Sequence, residues 1–155
     1  MDSASYWIER LQLQPHPEGG WYREVHRAAE RVQTARGPRS ALTTIYYLLE
    51  QGQRSRWHVV ESDEVWHFYR GASLELLAYD SRSRVLRRTV LAADGESIGV
   101  IEAGVWQAAR SCGAYSLIGC TVGPGFDFAD FRFVATIAGH REHFSGELAP
   151  YAELL

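Results

Sequence analysis

The sequence contains neither lysine nor asparagine, and all sixteen basic residues are arginine. The lack of lysine excludes enzymes that depend on a lysine side chain, which include Schiff-base enzymes, Walker-type nucleotide-binding proteins and protein kinases. The lack of asparagine excludes N-glycosylation. The codon usage of a GC-rich genome accounts for both absences, and we attach no function to them.

Cysteine is scarce as well. Cys112 and Cys120 are the two cysteines and form no CxxC motif, so the sequence predicts neither a disulfide framework nor a zinc ribbon. No run of apolar residues approaches the roughly 18 that a membrane-spanning helix needs. The first twenty residues also lack the basic and apolar regions of a signal peptide. We therefore expect a cytoplasmic protein that makes no contact with membranes.

Several common catalytic motifs are missing, namely GxSxG, HExxH, GxxxxGK and a GxGxxG between a strand and a helix. Sixteen basic and nineteen acidic residues give a formal charge of −3, which disfavours a nucleic-acid partner.

The chain has 155 residues, of which 46% are hydrophobic and 12% aromatic. This composition predicts a single folded domain over residues 1–155.

The pattern of turns predicts an all-β fold with one short N-terminal helix. Residues 3–13 carry Trp7, Ile8 and Leu11 at helical spacing behind candidate caps at Ser3 and Ser5. Turn signals then recur about every 8 to 12 residues, which is typical of a sandwich or barrel. The predicted strands cover residues 21–25, 41–49, 56–60, 64–70, 73–80, 84–91, 98–101, 105–110, 114–122 and 131–136.

Two segments are harder to assign. The polar, arginine-rich residues 28–40 contain Gly37-Pro38 and are interpreted as a surface loop. The C-terminal segment FSGELAPYAELL fits either a short helix or a tail that docks on the domain.

Residues 52–71 concentrate two histidines, two tryptophans and three acidic residues. If strands 56–60 and 64–70 are neighbours joined by a turn at 61–63, alternation lets His58 and Glu64 both point into a barrel. A neutral imidazole and a carboxylate at one site suit a metal centre or an acid/base pair. The alternative is that His58 simply bonds Glu64 within a polar core.

The spacing of this segment resembles the first motif of the cupins, G-x5-H-x-H-x3,4-E-x6-G. Gly52, His58, Glu64 and Gly71 occupy the matching positions, and Val60 stands where the second histidine is expected. The second cupin motif, P-x-G-x2-H, is matched by Glu102, Gly104 and Gln107 with both end residues replaced.

Blocks over residues 16–24, 43–49, 55–71, 103–109 and 115–131 resemble the hallmark blocks of family five of the cupin superfamily. The resemblance implies a double-stranded β-helix, or jelly-roll barrel, like that of the dTDP-4-dehydrorhamnose 3,5-epimerase-like cupins. It also implies a homodimer. The family has no firmly assigned activity, so the resemblance predicts the fold better than the chemistry.

A cupin metal site normally uses three histidines and one glutamate, but the matching positions here hold His58, Val60, Glu64 and Gln107. Because valine cannot ligate and glutamine offers only a neutral oxygen, His58, Glu64 and Gln107 would hold a divalent metal weakly. Without metal, the same three side chains form a polar patch that suits a small polar ligand with a flat ring.

Alternation along the strands adds further candidates. Thr44 and Tyr46 share a face of strand 41–49 that we expect to line the barrel. Their hydroxyl groups could bind a ligand or could equally form hydrogen bonds with the backbone of the core. Trp66 and Phe68 share the face of Glu64 and would contact a ligand or simply pack in the core. His67 falls on the opposite face and would instead pack at a dimer interface.

The loops supply the remaining candidates. Arg23 could clamp an anion over the mouth of the barrel or form a surface ion pair. The Gly123-Pro124-Gly125 sequence predicts a rigid loop near the rim of a pocket, with Asp127 and Asp130 solvated or capping. His140, Arg141 and His143 form a polar cluster to which the sequence assigns no role.

Three functions fit these residues. The first is a non-redox isomerase or epimerase, with His58, Glu64 and Tyr46 transferring protons next to a carbonyl. The second is a module that binds a metabolite without turnover. The third is a metal-dependent oxygenase, which the loss of two histidine ligands disfavours.

Overall fold

The computed structural model describes residues 2–155, which begin with an α-helix and continue as antiparallel β-strands. Helix α1 spans Ala4–Arg10, and the Ser3 side chain caps it by accepting the Tyr6 N–H. Its apolar side packs on a small cluster that includes Leu48 and Leu117. The predicted helix and its Ser3 cap are confirmed, although the helix is shorter than residues 3–13.

The strands match most of the predicted segments to within two residues. They are β1 (Gln14–Pro15), β2 (Trp21–Arg27), β3 (Arg31–Thr34), β4 (Gly37–Ser40), β5 (Thr43–Glu50), β6 (Arg54–Val60), β7 (Asp63–Gly71), β8 (Leu74–Asp80), β9 (Val85–Leu91), β10 (Ile98–Ile101), β11 (Trp106–Ser111), β12 (Tyr115–Gly123) and β13 (Phe131–Phe133). The segment predicted as a strand over 131–136 leaves the strand at Phe133 and continues as a 3₁₀ turn, Val134–Thr136.

Two sheets pack face to face. One has the strand order β1-β2-β5-β12-β7-β10 and the other β13-β6-β11-β8-β9, and every named strand pair in both is antiparallel. The main core lies between them and takes Tyr47, Trp66 and Ile118 from the first sheet and Leu76 and Ala109 from the second. The all-β jelly-roll prediction is therefore confirmed.

The C-terminal segment covers the outer face of the second sheet. Its 3₁₀ helices, His140–His143 and Gly146–Leu154, pack over Trp57 and Trp106, and Leu148 and Leu154 become buried there. The Trp57 indole N–H donates to the carbonyl oxygen of Tyr151 at 2.8 Å. The C-terminal segment is thus both a short helix and a tail that docks on the domain, which were the two alternatives predicted for it.

One expectation about the site's framework is wrong. Strands β6 and β7 are not neighbours in one sheet, since β6 pairs with β11 and β13 whereas β7 pairs with β10 and β12. The link at residues 61–62 carries the chain from one layer to the other. His58 and Glu64 therefore approach the interior from opposite sheets rather than from adjacent strands.

The segment expected to be a surface loop, residues 28–40, instead forms a hairpin. Strands β3 and β4 pair from Arg31–Ser40 to Thr34–Gly37, and Gly37 adopts a φ of +104° at the turn. Glycine suits that position because residues with a side chain rarely adopt positive φ. The hairpin was not predicted, because the polar composition of residues 28–40 gave no indication of strand pairing.

A buried aspartate ties this hairpin to the loop before β13. Asp130 accepts hydrogen bonds from Arg36 Nε at 2.9 Å and from Arg39 Nε and Nη2 at 2.8 Å each. The expectation that Asp130 is solvated or capping is wrong, because its side chain is only 2% exposed. Asp127 does cap, accepting the Ala129 N–H at 2.8 Å.

None of the helices within residues 2–155 is long and apolar enough to cross a bilayer. The homodimer, the cytoplasmic location and the single-domain assignment stay predictions. His67 lies on the outer face of its sheet, as alternation predicted, with Glu64 and Trp66 turned to the interior.

We predict that Asp130→Ala lowers the free energy of unfolding by about 2 kcal/mol, because it leaves the largely buried Arg39 and the partly exposed Arg36 without their anion. Denaturant titration measures the change. The control is Glu102→Ala, which breaks the exposed Arg87–Glu102 pair (side chains 51% and 53% exposed) and should cost less than about 1 kcal/mol. Equal losses in both variants would contradict the prediction.

Candidate functional site

A cavity of about 420 Å³ opens between the two sheets at the end where β2, β5 and β12 meet the loop after β12. That volume suits a small metabolite. Acidic and basic side chains share its walls with aromatic and aliphatic ones. The lining residues are His16, Glu18, Tyr22, Glu24, Arg27, Thr43, Ile45, His58, Val60, Glu64, Cys120, Val122, Phe126, Asp127 and Phe128.

The turn at residues 16–20, HPEGG, delivers Glu18 to this cavity. Gly19 and Gly20 have φ of +109° and +76°, and a Cβ on Gly19 would lie 2.0 Å from the Arg54 carbonyl oxygen. The turn therefore sits directly against β6, where the Arg56 N–H donates to the Glu18 carbonyl at 3.0 Å. Only glycine allows this close approach, which turns the Glu18 side chain inward.

His58 and Glu18 form a buried ion pair at the base of the cavity. His58 Nε2 lies 3.0 Å from Glu18 Oε2, and His58 Nδ1 lies 2.6 Å from the Arg56 carbonyl oxygen. Because both neighbours are acceptors, both ring nitrogens act as donors and the imidazole is cationic.

The pKa values of this pair agree with that charge state. Burial alone would lower the pKa of His58, but the charge and hydrogen bond of Glu18 raise it to about 8. Burial alone would raise the pKa of Glu18, but the charge and hydrogen bond of His58 lower it to about 2. Both groups therefore stay charged at neutral pH.

His16 takes the opposite state. Its Nδ1 accepts the Glu18 backbone N–H at 3.0 Å, so a neutral ring carries its hydrogen on Nε2. Burial is the main reason that the pKa of His16 is lowered, against the opposing charge of Glu18. His16 thus supplies one neutral N–H donor among the acidic groups of the cavity.

Glu64 enters the cavity from the other sheet and is held by a chain of two hydrogen bonds. The Trp66 indole N–H donates to Gln107 Oε1 at 3.0 Å, and Gln107 Nε2 donates to Glu64 Oε2 at 2.8 Å. The tryptophan therefore fixes which end of the amide faces Glu64. Burial raises the pKa of Glu64 to about 7, although the nearby charge of His58 opposes the shift.

The donors do not fit a cupin metal ion as they are arranged. Glu18 and the Arg56 carbonyl occupy both nitrogens of His58, and the Trp66 indole occupies the oxygen of Gln107. No group of three or more His, Cys, Asp or Glu side chains within residues 2–155 is placed to hold a metal. The weak metal site at His58, Glu64 and Gln107 stays a prediction, and a metal bound there would have to displace these hydrogen bonds.

The structure brings His58 and Glu64 to the cavity wall with Gln107 directly behind Glu64. Trp66 and Phe68 share the face of Glu64, as alternation predicted, but they belong to the packed core and do not line the cavity. Trp66 therefore reaches the site only through Gln107.

Three other candidates lie on the outer face of the first sheet, away from the cavity. Thr44 bonds Thr121 across the strands at 3.0 Å, and the Arg23 guanidinium lies 5.8 Å from the ring centre of Tyr46. The expectation that Thr44 and Tyr46 line the barrel is wrong, because Thr43 and Ile45 take the inward positions of β5. Arg23 likewise sits beside Tyr46 and not over the mouth.

Sequence reasoning missed Glu18, His16 and Tyr22, which all line the cavity. The HPEGG block could have indicated Glu18, because an acidic residue between a proline and a glycine pair lies in a tight turn whose position is fixed. The loop predicted at Gly123-Pro124-Gly125 does approach the rim, where Phe126 and Phe128 line the cavity.

Comparison with known proteins agrees with this architecture. The model of a family described as the Cupin superfamily (DUF985) matches residues 5–134. The chain therefore belongs to that family of the cupin superfamily, as the sequence motifs predicted.

Solved structures extend the likeness. A hypothetical protein from Leishmania major is 35% identical, with 84% of this chain and 86% of that chain covered and a TM-score of 0.78. A protein from Shewanella oneidensis is 29% identical, with 99% and 98% covered and a TM-score of 0.83. Oxalate decarboxylase from Lactobacillus farciminis, 17% identical over 92% of this chain and 41% of its own at a TM-score of 0.60, shares the fold alone. No curated protein matches the chain.

The raised pKa of Glu64 predicts a pH-dependent stability. Since the pKa is about 7 in the folded state against an ordinary 4.5, the contribution of the protonated carboxyl is complete below about pH 4.5 and is lost as pH rises through 7. Glu64→Gln should remove this part of the decline, making the variant more stable than the parent at pH 8 by roughly 3 kcal/mol or less. Denaturant titration between pH 4.5 and 8 measures it.

The matched control is Glu102→Gln, which neutralises an exposed carboxylate. That variant should keep the decline of the parent protein. A Glu64→Gln protein with the same decline would show that the carboxyl titrates normally.

Proposed function

We propose that this cupin binds a small carbonyl metabolite in the cavity and isomerises or epimerises it by proton transfer, with Glu64 as the acid/base group. The observation that supports the proposal is the unequal bonding of the two central side chains. His58 is held at both ring nitrogens, whereas Glu64 faces the cavity with one oxygen held by the Gln107 amide.

Glu64 has the properties of a general base that also returns a proton. General acid/base catalysis is most effective when the pKa lies near the working pH. The pKa of about 7 leaves both the carboxylate and the carboxylic acid populated at neutral pH. Gln107 orients the group, because its amide cannot turn without losing the Trp66 hydrogen bond.

His58 serves as a fixed positive charge and not as a proton shuttle. Its two hydrogens are directed to Glu18 and to the Arg56 carbonyl, so giving one up would leave a buried carboxylate without its cation. We assign the donor for the negative charge that develops on the carbonyl oxygen to the N–H of the neutral His16, which lines the cavity.

The reaction step is then a balanced proton transfer. Glu64 takes a proton from the carbon next to the carbonyl, and the electron pair of the broken C–H bond moves towards the carbonyl oxygen to give an enolate. Return of a proton to the opposite face of the same carbon completes an epimerisation. In a compound with a hydroxyl group on the carbon that lost its proton, return of the proton to the former carbonyl carbon completes an isomerisation. The hydroxyl proton passes to the former carbonyl oxygen, so a carbonyl group forms on the first carbon.

Epimerisation requires a second proton donor, and we assign this role to Tyr22. The sequence suggested Tyr46, which lies on the outer face of the sheet, whereas Tyr22 lines the cavity beside His16 at a ring separation of 4.5 Å. Tyr47 does not suit the role, because its hydroxyl donates to the Gly19 carbonyl within the wall.

We predict that the protein catalyses exchange of a carbon-bound hydrogen with solvent deuterium in at least one carbonyl compound that it binds. NMR in D₂O of a panel of sugars, sugar derivatives and keto compounds measures it. Glu64→Gln should slow the exchange by about 100-fold or more, because the base is gone. Tyr22→Phe should block epimer formation while exchange of the proton continues.

The control is Glu102→Gln, whose carboxylate pairs with Arg87 away from the cavity and should leave exchange unchanged. Binding of a panel compound without exchange would contradict the isomerase and favour a module that binds its ligand without turnover.

A further inference from the structure

We infer that the ligand of this cavity carries no negative charge and is a ring compound with O–H or N–H groups that donate hydrogen bonds. The inference rests on the proposed function only in assuming that the cavity is the binding site. It follows from how the charges of the cavity wall are already paired.

The first cation, His58, is unavailable to an anionic ligand. Glu18 holds it at 3.0 Å, and the side chains of both residues are buried. An oxyanion could reach the imidazolium only by displacing Glu18, which would leave that carboxylate buried without a partner.

The second cation, Arg27, is also paired, but at the rim, where its side chain is 44% exposed and that of Glu24 is 40% exposed. Its Nη2 and Nε bond both oxygens of Glu24, at 2.7 and 3.3 Å, and Nη2 also donates to the Phe126 carbonyl at 3.0 Å. Strict alternation along β2 would place residues 24 and 27 on opposite faces. A β-bulge between Glu24 and His26 brings Arg27 onto the side of Glu24, so the pairing is built into the strand.

The remaining ionisable groups of the wall are neutral or acidic. His16 is a neutral ring that accepts a backbone N–H. Glu64 and Asp127 have no cation of their own among the cavity residues that the structure describes. The wall therefore carries an excess of negative charge, and a phosphate or carboxylate that enters meets like charges in a partly dehydrated space.

The same groups favour a ligand with hydrogen-bond donors, since ionised carboxylates only accept. The rim adds flat apolar surface from Tyr22, Phe126 and Phe128, and the two phenylalanine rings pack edge to face at 4.9 Å. Such walls suit a ring. A neutral polyhydroxy ring or a cyclic amide meets both requirements. Oxalate meets neither, and a sugar phosphate meets both but carries the negative charge that the wall disfavours.

The first test uses matched pairs of ring compounds in which one member is a carboxylate and the other its primary amide or lactone. Ligand-observed NMR ranks each pair with the wild-type protein at pH 7.5. The uncharged members should bind about tenfold or more tightly than their anionic partners. A set in which the uncharged members never bind more tightly overturns the inference.

The second test releases the arginine. Glu24→Gln removes the carboxylate that occupies Arg27. Oxalate and inorganic phosphate should show no measurable binding to the wild type. In the variant, their affinity should rise at least about tenfold above the wild-type detection limit. Glu102→Gln is the control, because it releases Arg87 from a similar exposed pair that lies outside the cavity. Circular dichroism confirms that both variants are folded.

The outcomes separate the ligand class from the chemistry. Binding of oxalate or phosphate in the wild-type cavity, or no gain in Glu24→Gln, overturns the inference. Deuterium exchange in an anionic compound would also overturn it while supporting the isomerase. Uncharged ligands that bind without exchange would support the inference and contradict the isomerase.

Discussion

The buried ion pair between His58 and Glu18 is the interaction on which the site depends. One partner comes from the turn before β2 and the other from the middle of β6, so the pair fixes the N-terminal segment to the second sheet. Neither charge could stay in this interior alone, because a single buried ion is far more costly than a bonded pair. The close approach of Gly19 to the Arg54 carbonyl is the backbone condition for the pair.

This pair also determines what the neighbouring groups can do. Because Glu18 and the Arg56 carbonyl contact both nitrogens of His58, the imidazole keeps its proton up to a pKa of about 8, and the pKa of Glu64, at about 7, lies closer to neutrality. Gln107 occupies a position where many cupins have a metal ligand, yet here it connects a tryptophan to a carboxyl group. The cupin framework is retained, and in this structure hydrogen bonds link the side chains at these positions.

Much of the fold could be predicted from sequence because its signals are local. The Ser3 cap, the strand boundaries and the inward set of β7 all follow from neighbouring residues. The inward set of β5 did not follow, since tyrosines occur at both parities of TTIYYLLE and alternation alone cannot say which face is buried. The sheet assignment of β6 and β7 was likewise hidden, because alternation does not reveal which strand is the neighbour.

The parts of the site that sequence reasoning missed are long-range. Glu18 lies forty residues before His58, and Asp130 lies more than ninety residues beyond its arginine partners. Nothing in the residues next to Glu18 or Asp130 indicates a cation, so each reads as an ordinary turn or cap residue. Only the folded arrangement shows that both carboxylates are buried counter-ions.

The crossing of the chain between β6 and β7 has a consequence for how the site tolerates change. Because His58 and Glu64 belong to opposite sheets, their separation is set by the thickness of the sandwich, about 10 Å between sheet planes, and by the short link that joins them. A slip in strand pairing would move one side chain along its layer, whereas a change in the volume of the core side chains between the sheets would alter the separation itself. The distance between Glu64 and His58 is therefore a property of the whole core and not of any one strand.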